Sequence, residues 1–190
     1  MNRRLAYILI AVLLLMAVGV MLTNHVRVNR SLSNTLAADP RNNGIVAYAH
    51  YNQFVVPDKL VFDLRSVGET TAPGDIFRVL LQFAAAQKDN AYSTITLSFK
   101  GTPKFMLKGD YFHTLGVEYG TQNPVYTMRT LPENVYRLDG TAAFGTWTGG
   151  VLGVLTKQIE DFTKFHRQWY IEDLGSRGGK MAIEQIASPP

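Results

Sequence analysis

From Leu5 to Leu22 the chain runs LAYILIAVLLLMAVGVML, eighteen residues without a charge, directly behind MNRR. As a helix this run spans roughly 27 Å. That approaches the hydrocarbon core of a bilayer, about 30 Å. A helix apolar on all sides needs either a large protein core around it or lipid, and a segment at the N-terminus rarely has the former. Residues 1–23 are therefore expected to direct the chain to a membrane, with the lipid bilayer as partner of Leu5–Leu22.

A cleaved signal peptide and a retained anchor both fit a segment of this kind. A cleavable apolar stretch is usually about 7–15 residues, followed by small residues. Ala17-Val18-Gly19 offers such a site. The apolar run nevertheless continues through Val20, Met21 and Leu22, which favours an uncleaved anchor. Without any cysteine, a lipidated cysteine is excluded. Arg3 and Arg4 on one side nearly balance His25, Arg27 and Arg30 on the other, so basic residues orient the helix weakly. A short N-terminal tail ordinarily stays inside, which puts the rest outside the cytoplasm, in the cell envelope.

The net charge of +4 invites a nucleic-acid reading. Residues 1–30 hold four arginines and no acid, which leaves 15 basic and 15 acidic side chains in the other 160. A neutral domain lacks the basic field that phosphate backbones require, so no nucleic-acid partner is expected. The basic flanks suit anionic headgroups instead. The lack of cysteine also excludes disulfides, thiol catalysis and Cys-ligated metal.

Residues 24–43, rich in Asn, Ser and Arg and broken by Asp39-Pro40, read as a linker. Residues 44–174 are long enough for one domain with its own core, and 175–190 read as a flexible tail. Gly44–Val56 is apolar and β-prone. In Lys59–Val67, Leu60, Phe62 and Leu64 alternate with Val61, Asp63 and Arg65, as in a strand. Asp75–Lys88 places Ile76, Val79, Leu80, Phe83 and Ala84 at helical spacing. Tyr92–Lys100 alternates again, and KFMLK (104–108) pairs back as a short strand. Asp110 reads as the cap of a helix that stops at Gly120, and Val125–Thr130 as another strand. Gly150–Leu174 has Val151, Leu155, Ile159, Phe162, Phe165 and Trp169 every three or four residues, which predicts a long amphipathic helix. Strand and helix in alternation predict an α/β fold: one small sandwich of about four to five mixed strands with three main helices, behind an N-terminal transmembrane helix. The strands flanking the first long helix are expected to be parallel.

Candidate chemistry is sparse. None of the four histidines has metal spacing, no nucleophile elbow occurs, and no phosphate-binding glycine loop is present, so no metal or cofactor is expected. Asp63, Arg65, Ser66 and Glu69 cluster at a strand end, where α/β proteins place functional groups. Asp110 and His113 share a helix face. Gly149 and Gly150 precede a helix and offer backbone N–H groups to an anion. Thr121–Tyr136 collects Gln122, Asn123, Tyr126, Arg129, Glu133 and Tyr136 between prolines, and Arg129 suits an anionic group. Arg129, Gln122, Asn123, Arg65, Gly149 and Gly150 are the candidate ligand-binding residues.

Three functions follow. The favoured one is an anchored, non-catalytic α/β domain that binds a protein partner or a small ligand. The second is an anchored hydrolase or transferase, which requires Asp63, Arg65, His113 and Arg129 to surround one concavity. The third is a membrane-assembly subunit whose last helix exposes Val151, Leu155, Phe162 and Trp169 to a partner.

Overall fold

Period-two alternation decides the sheet. The computed structural model describes residues 3–175 and has five strands in sequential order. They are β1 (Ile45–Asn52), β2 (Val56–Val67), β3 (Thr94–Phe99), β4 (Thr102–Lys108) and β5 (Val135–Tyr136). β2 and β3 are parallel and the other neighbours antiparallel. The parallel pair is the one joined by a helix, α3 (Pro73–Ala86), because a crossover must carry the chain back before it can run parallel.

One face of the sheet holds the core. Ala49, Leu60, Phe62, Leu64, Ile95, Leu97 and Leu107 are all fully buried there. The opposite face carries Tyr48, His50, Val61, Asp63, Thr96, Ser98 and Met106, of which Val61, Asp63 and Ser98 are buried. On the core face, Phe62 meets Phe83 of α3 with ring centroids 5.8 Å apart and Trp169 of the last helix at 6.0 Å. Phe105 of β4 meets Phe165 at 5.5 Å. α4 (Gly109–Glu118) lies against α3. Gly116 permits that approach, since a Cβ there would stand 2.4 Å from the Ala84 carbonyl oxygen.

The chain is thus a mixed α/β protein with a five-stranded sheet and several helices. β2 and β3 form where alternation predicts strands, β4 where KFMLK is expected to pair back, and α3 where helical spacing predicts a helix, each with small boundary shifts. α3 starts with Pro73 in its first turn, and the Asp75 carboxylate accepts the Ala72 N–H at 2.8 Å. The last helix runs as α6 (Val151–His166), passes a π turn at Arg167–Ile171, and continues to 175. All of the expected tail after residue 175 lies outside the described residues.

Three expectations need correction. Val125–Thr130, expected as a strand, is inside a helix, α5 (Pro124–Thr130). Pro124 fits the first turn and the Asn123 side chain caps it by accepting the Val125 N–H at 2.9 Å. These end signals outweigh the β-prone composition of so short a segment. Asp110 lies in the first turn of α4, not at its cap, which is Lys108.

The third correction concerns 24–43. α1 (Arg3–Asn24), a π turn at His25–Asn29 and α2 (Arg30–Ala38) form one continuous helix of 36 residues. The apolar window of this helix is 0% buried, and it is long and apolar enough to cross a membrane. Its later part is not a linker. Val28 and Leu32 are fully buried in the core, each contributing roughly 1.5–3 kcal/mol.

Polar contacts lock the same junction. Asn24 Oδ1 accepts the Tyr51 N–H at 2.7 Å, and Asn24 Nδ2 donates to the Phe54 carbonyl at 2.7 Å. Asn29 Oδ1 accepts the Ala49 N–H at 3.1 Å. β1 is an edge strand, and its outward N–H groups would otherwise invite pairing with another chain. In a regular α-helix, residues five apart lie about 140° apart around the axis. A π turn closes on i→i+5 and sets them one above the other. The π turn between Asn24 and Asn29 is therefore what lets both amides reach the same strand.

Candidate functional site

Asp63 and Arg65 are next to each other on β2, and both are occupied. The Asp63 carboxylate is fully buried. Its Oδ1 accepts the Gly101 N–H at 3.0 Å, and its Oδ2 makes an ion pair with Arg65 Nη2 at 2.5 Å without an aligned hydrogen bond. Gly101 has φ +82°, a conformation glycine adopts freely. The pair therefore pins the β3–β4 turn to β2.

His113 is elsewhere. It is exposed on α4, in a shallow depression with Lys88, Asp89, Asn90, Tyr92 and Asp110. Residues 88–92 precede β3, whereas Asp63 pairs with Ser98 near the far end of that strand. Four strand residues separate the two levels, roughly 13 Å. Asp110 directs Oδ1 to the Tyr111 N–H at 2.7 Å.

Arg129 lies on α5, where its Nε donates to Gln158 Oε1 at 3.0 Å. Gln158 Nε2 in turn donates to Glu133 Oε1 at 2.9 Å. This relay fastens α5 to α6. Asn123 caps α5, and its own N–H is accepted by Gln122 Oε1 at 2.9 Å. Gly149 and Gly150 are exposed ahead of α6, and Gly149 has φ +127°. The structure joins Asp63 to Arg65 and sets Gln122 beside Asn123. It does not bring Asp63, Arg65, His113 and Arg129 together.

A cavity of about 420 Å³ lies between α3, α4 and the start of α5. Leu81, Leu115 and Pro124 supply apolar wall, and Arg41, Tyr119 and Gln122 supply polar groups. Of these, the sequence pointed only to Gln122. The others come from separate segments, and no local pattern joins them. Arg41 and Arg78 look like anion ligands, but each is already paired. Arg41 Nη2 lies 2.6 Å from Asp39 Oδ2, and Arg78 Nη1 lies 2.7 Å from Asp75 Oδ1. The hydrogen bond from Arg41 holds the Asp39 carboxyl well below the usual range, and the Ala72 N–H, aided by Arg78, lowers Asp75. Arg78 also donates to the Arg41 carbonyl at 2.7 Å. The cleft thus suits an apolar group with hydrogen-bonding edges better than a free anion.

His166 is the most perturbed group near neutrality. It is fully buried, and desolvation pushes its pKa down to about 3. Phe162, Phe165, Trp169 and Tyr170 surround it, with centroids from 4.5 to 6.0 Å. Neither ring nitrogen has a hydrogen-bond partner. It behaves as a neutral core ring.

The last helix splits the expected stripe. Val151 is 79% exposed, but Phe162 and Trp169 are buried at 7% and 0%. Leu155 is half-buried and Ile159 is exposed, so the apolar face serves the domain's own core only from Phe162 onward. Among the described residues no group of His, Asp and Glu is arranged to hold a metal. Comparison with protein-family models, with curated proteins and with solved structures returns no match.

Proposed function

We propose that the chain is a single-pass membrane protein whose α/β domain is a non-catalytic binding module in the cell envelope, outside the cytoplasm. Its ligand, a protein segment or a small molecule with apolar body and polar edges, enters the cleft between α3, α4 and α5. The observation that carries the reading is the junction. The exposed apolar helix passes into the sheet edge through Asn24, Val28, Asn29 and Leu32, so the domain is held at the helix end rather than on a tether.

The alternative, an anchored hydrolase or transferase, needs Asp63, Arg65, His113 and Arg129 around one concavity. Asp63 and Arg65 neutralise each other, Arg129 is bound into the Gln158 relay, and His113 faces a different depression. No observation favours that reading.

The test uses the full chain in its own membranes. Carbonate-washed membranes should retain the protein with the residues before Leu5 intact on N-terminal sequencing. A photo-crosslinking residue at Gln122 should give a discrete adduct that Tyr119→Ala abolishes, whereas one at exposed Glu69 should give none. Full-length protein in the soluble fraction would overturn the anchor. A silent Gln122 probe would overturn the cleft.

A further inference from the structure

We propose that the tip of the β1–β2 hairpin, residues 53–55, is a second membrane contact, with Phe54 and Val55 seated in the headgroup region of the bilayer that α1 enters. This rests on the anchoring reading above and adds a surface to it.

The hydrogen bonds fix the height of the tip. Asn24 Nδ2 donates both to the Val20 carbonyl at 2.9 Å and to the Phe54 carbonyl at 2.7 Å. Phe54 therefore sits beside the last apolar turn of α1, at the level where the uncharged run ends at Leu22. The pairing also fixes direction. Asn24 meets Tyr51 and Asn29 meets Ala49, so β1 descends as the helix ascends. The hairpin is the end of the sheet nearest the apolar run, and β2 leads away from it.

The tip has the wrong composition for water. Hairpin turns favour Gly, Asn and Asp, yet here the chain reads Gln53-Phe54-Val55. Gln53 and Phe54 adopt φ +50° and +64°, a region bulky side chains seldom occupy. Phe54 is 41% exposed and Val55 61% exposed. The Phe54 ring stacks on His50, centroids 4.4 Å apart and 13° between planes, which holds it in place. Phe, like Trp and Leu, is a side chain that interfacial segments bury at the boundary of headgroup and acyl chain. Arg27 and Arg30, exposed just beyond the apolar run, suit anionic headgroups at that height. Lipid is the occupant these facts select, because the tip and the end of the uncharged run share one level.

The absence of cysteine makes the test direct. Single-cysteine variants Val55→Cys, Leu13→Cys and Glu69→Cys of the full chain are labelled with an environment-sensitive fluorophore. They are reconstituted into phosphatidylcholine–phosphatidylglycerol vesicles containing nitroxide-labelled lipid. Gln53→Cys is a second reporter of the tip, should Val55→Cys fail to fold by circular dichroism. β2 spans roughly 36 Å, so Glu69, just past its end, reports the distant side of the domain. Probes at Leu13 and at the tip should shift to the blue and lose most of their emission to the nitroxides, while Glu69 should be unaffected. A quenched Leu13 with a water-like tip overturns this inference and leaves the anchor standing. An unquenched Leu13 overturns both.

Discussion

Two π turns join helices to this sheet, and they do so with opposite chemistry. At His25–Asn29 the helix presents amides, and Asn24 and Asn29 complete the hydrogen bonds of an edge strand. At Arg167–Ile171 the helix presents rings: Trp169 and Tyr170 are 0% and 2% exposed, and His166 beside them has no partner at either nitrogen. One polar contact enters that cage, Trp169 Nε1–H donating to the Ser98 carbonyl at 3.1 Å. The extra residue of a π turn is thus a geometric device. It re-aims a helix face where regular periodicity would miss, whether the aim is to satisfy backbone groups or to fill volume.

The C-terminal turn carries the largest expected effect. Trp169→Ala should destabilise the domain by about 3–5 kcal/mol, the range for a large ring removed from a core. Chemical denaturation of the reconstituted chain reads this directly. A loss under 1 kcal/mol would mean the cage does not hold the helix.

Acid should separate the two turns next. The folded-state pKa of His166, about 3, lies below its unfolded value near 6.5. Between those values the unfolded state binds the proton and the folded state does not. Stability is therefore full above pH 6.5 and declines on acidification, by about 1.4 kcal/mol per pH unit. His166→Phe should flatten the curve between pH 6.5 and 4.5, measured by urea midpoints, while Asn24→Ala should leave its slope unchanged. An unaltered slope in His166→Phe would reassign the acid sensitivity elsewhere.

The N-terminal turn should give smaller and more local effects. Asn24→Ala and Asn29→Ala each strand buried backbone groups of β1, at about 1–3 kcal/mol apiece. Hydrogen exchange should speed at the Tyr51 and Ala49 amides respectively, with little change in β3. Uniform acceleration across the sheet would show that the asparagines serve global stability instead of the edge.

The smallest effect sharpens the contrast. Lys104 Nζ pairs with Asp173 Oδ2 at 2.8 Å beside the second π turn. Lys104→Ala should cost under about 1 kcal/mol, as partly exposed pairs do, because packing rather than charge secures that end. A larger loss in thermal unfolding would give the C-terminal turn a polar clamp of its own.

Much of the fold was written in local periodicity. Leu60, Phe62 and Leu64 alternate because one sheet face is buried. Ile76, Val79, Leu80 and Phe83 recur at helical spacing because α3 covers that face. The linker reading failed because polar composition drew attention from Val28, Leu32 and Leu36, whose spacing of four is itself helical. Composition reports what a segment exposes, and here a minority of residues made the contact. Val125–Thr130 misled through β-branched residues, although Asn123-Pro124 already held the start signal of a helix. The cleft was less legible. Gln122 was visible in a polar loop, but Arg41, Leu81, Leu115 and Tyr119 meet only through tertiary packing. The charges singled out, Asp63, Arg65 and Arg129, have internal partners, which sequence distance alone does not reveal.

The helical connection from α1 to α2 makes the N-terminal segment a stiff axle for the sheet. Its rotation is transmitted instead of being absorbed by slack chain. One extra residue in its exposed apolar stretch, such as an alanine after Leu14, would turn everything beyond by about 100° and lift it about 1.5 Å relative to whatever grips the preceding turns. The compass bearing of the cleft is therefore encoded in a residue count well away from it.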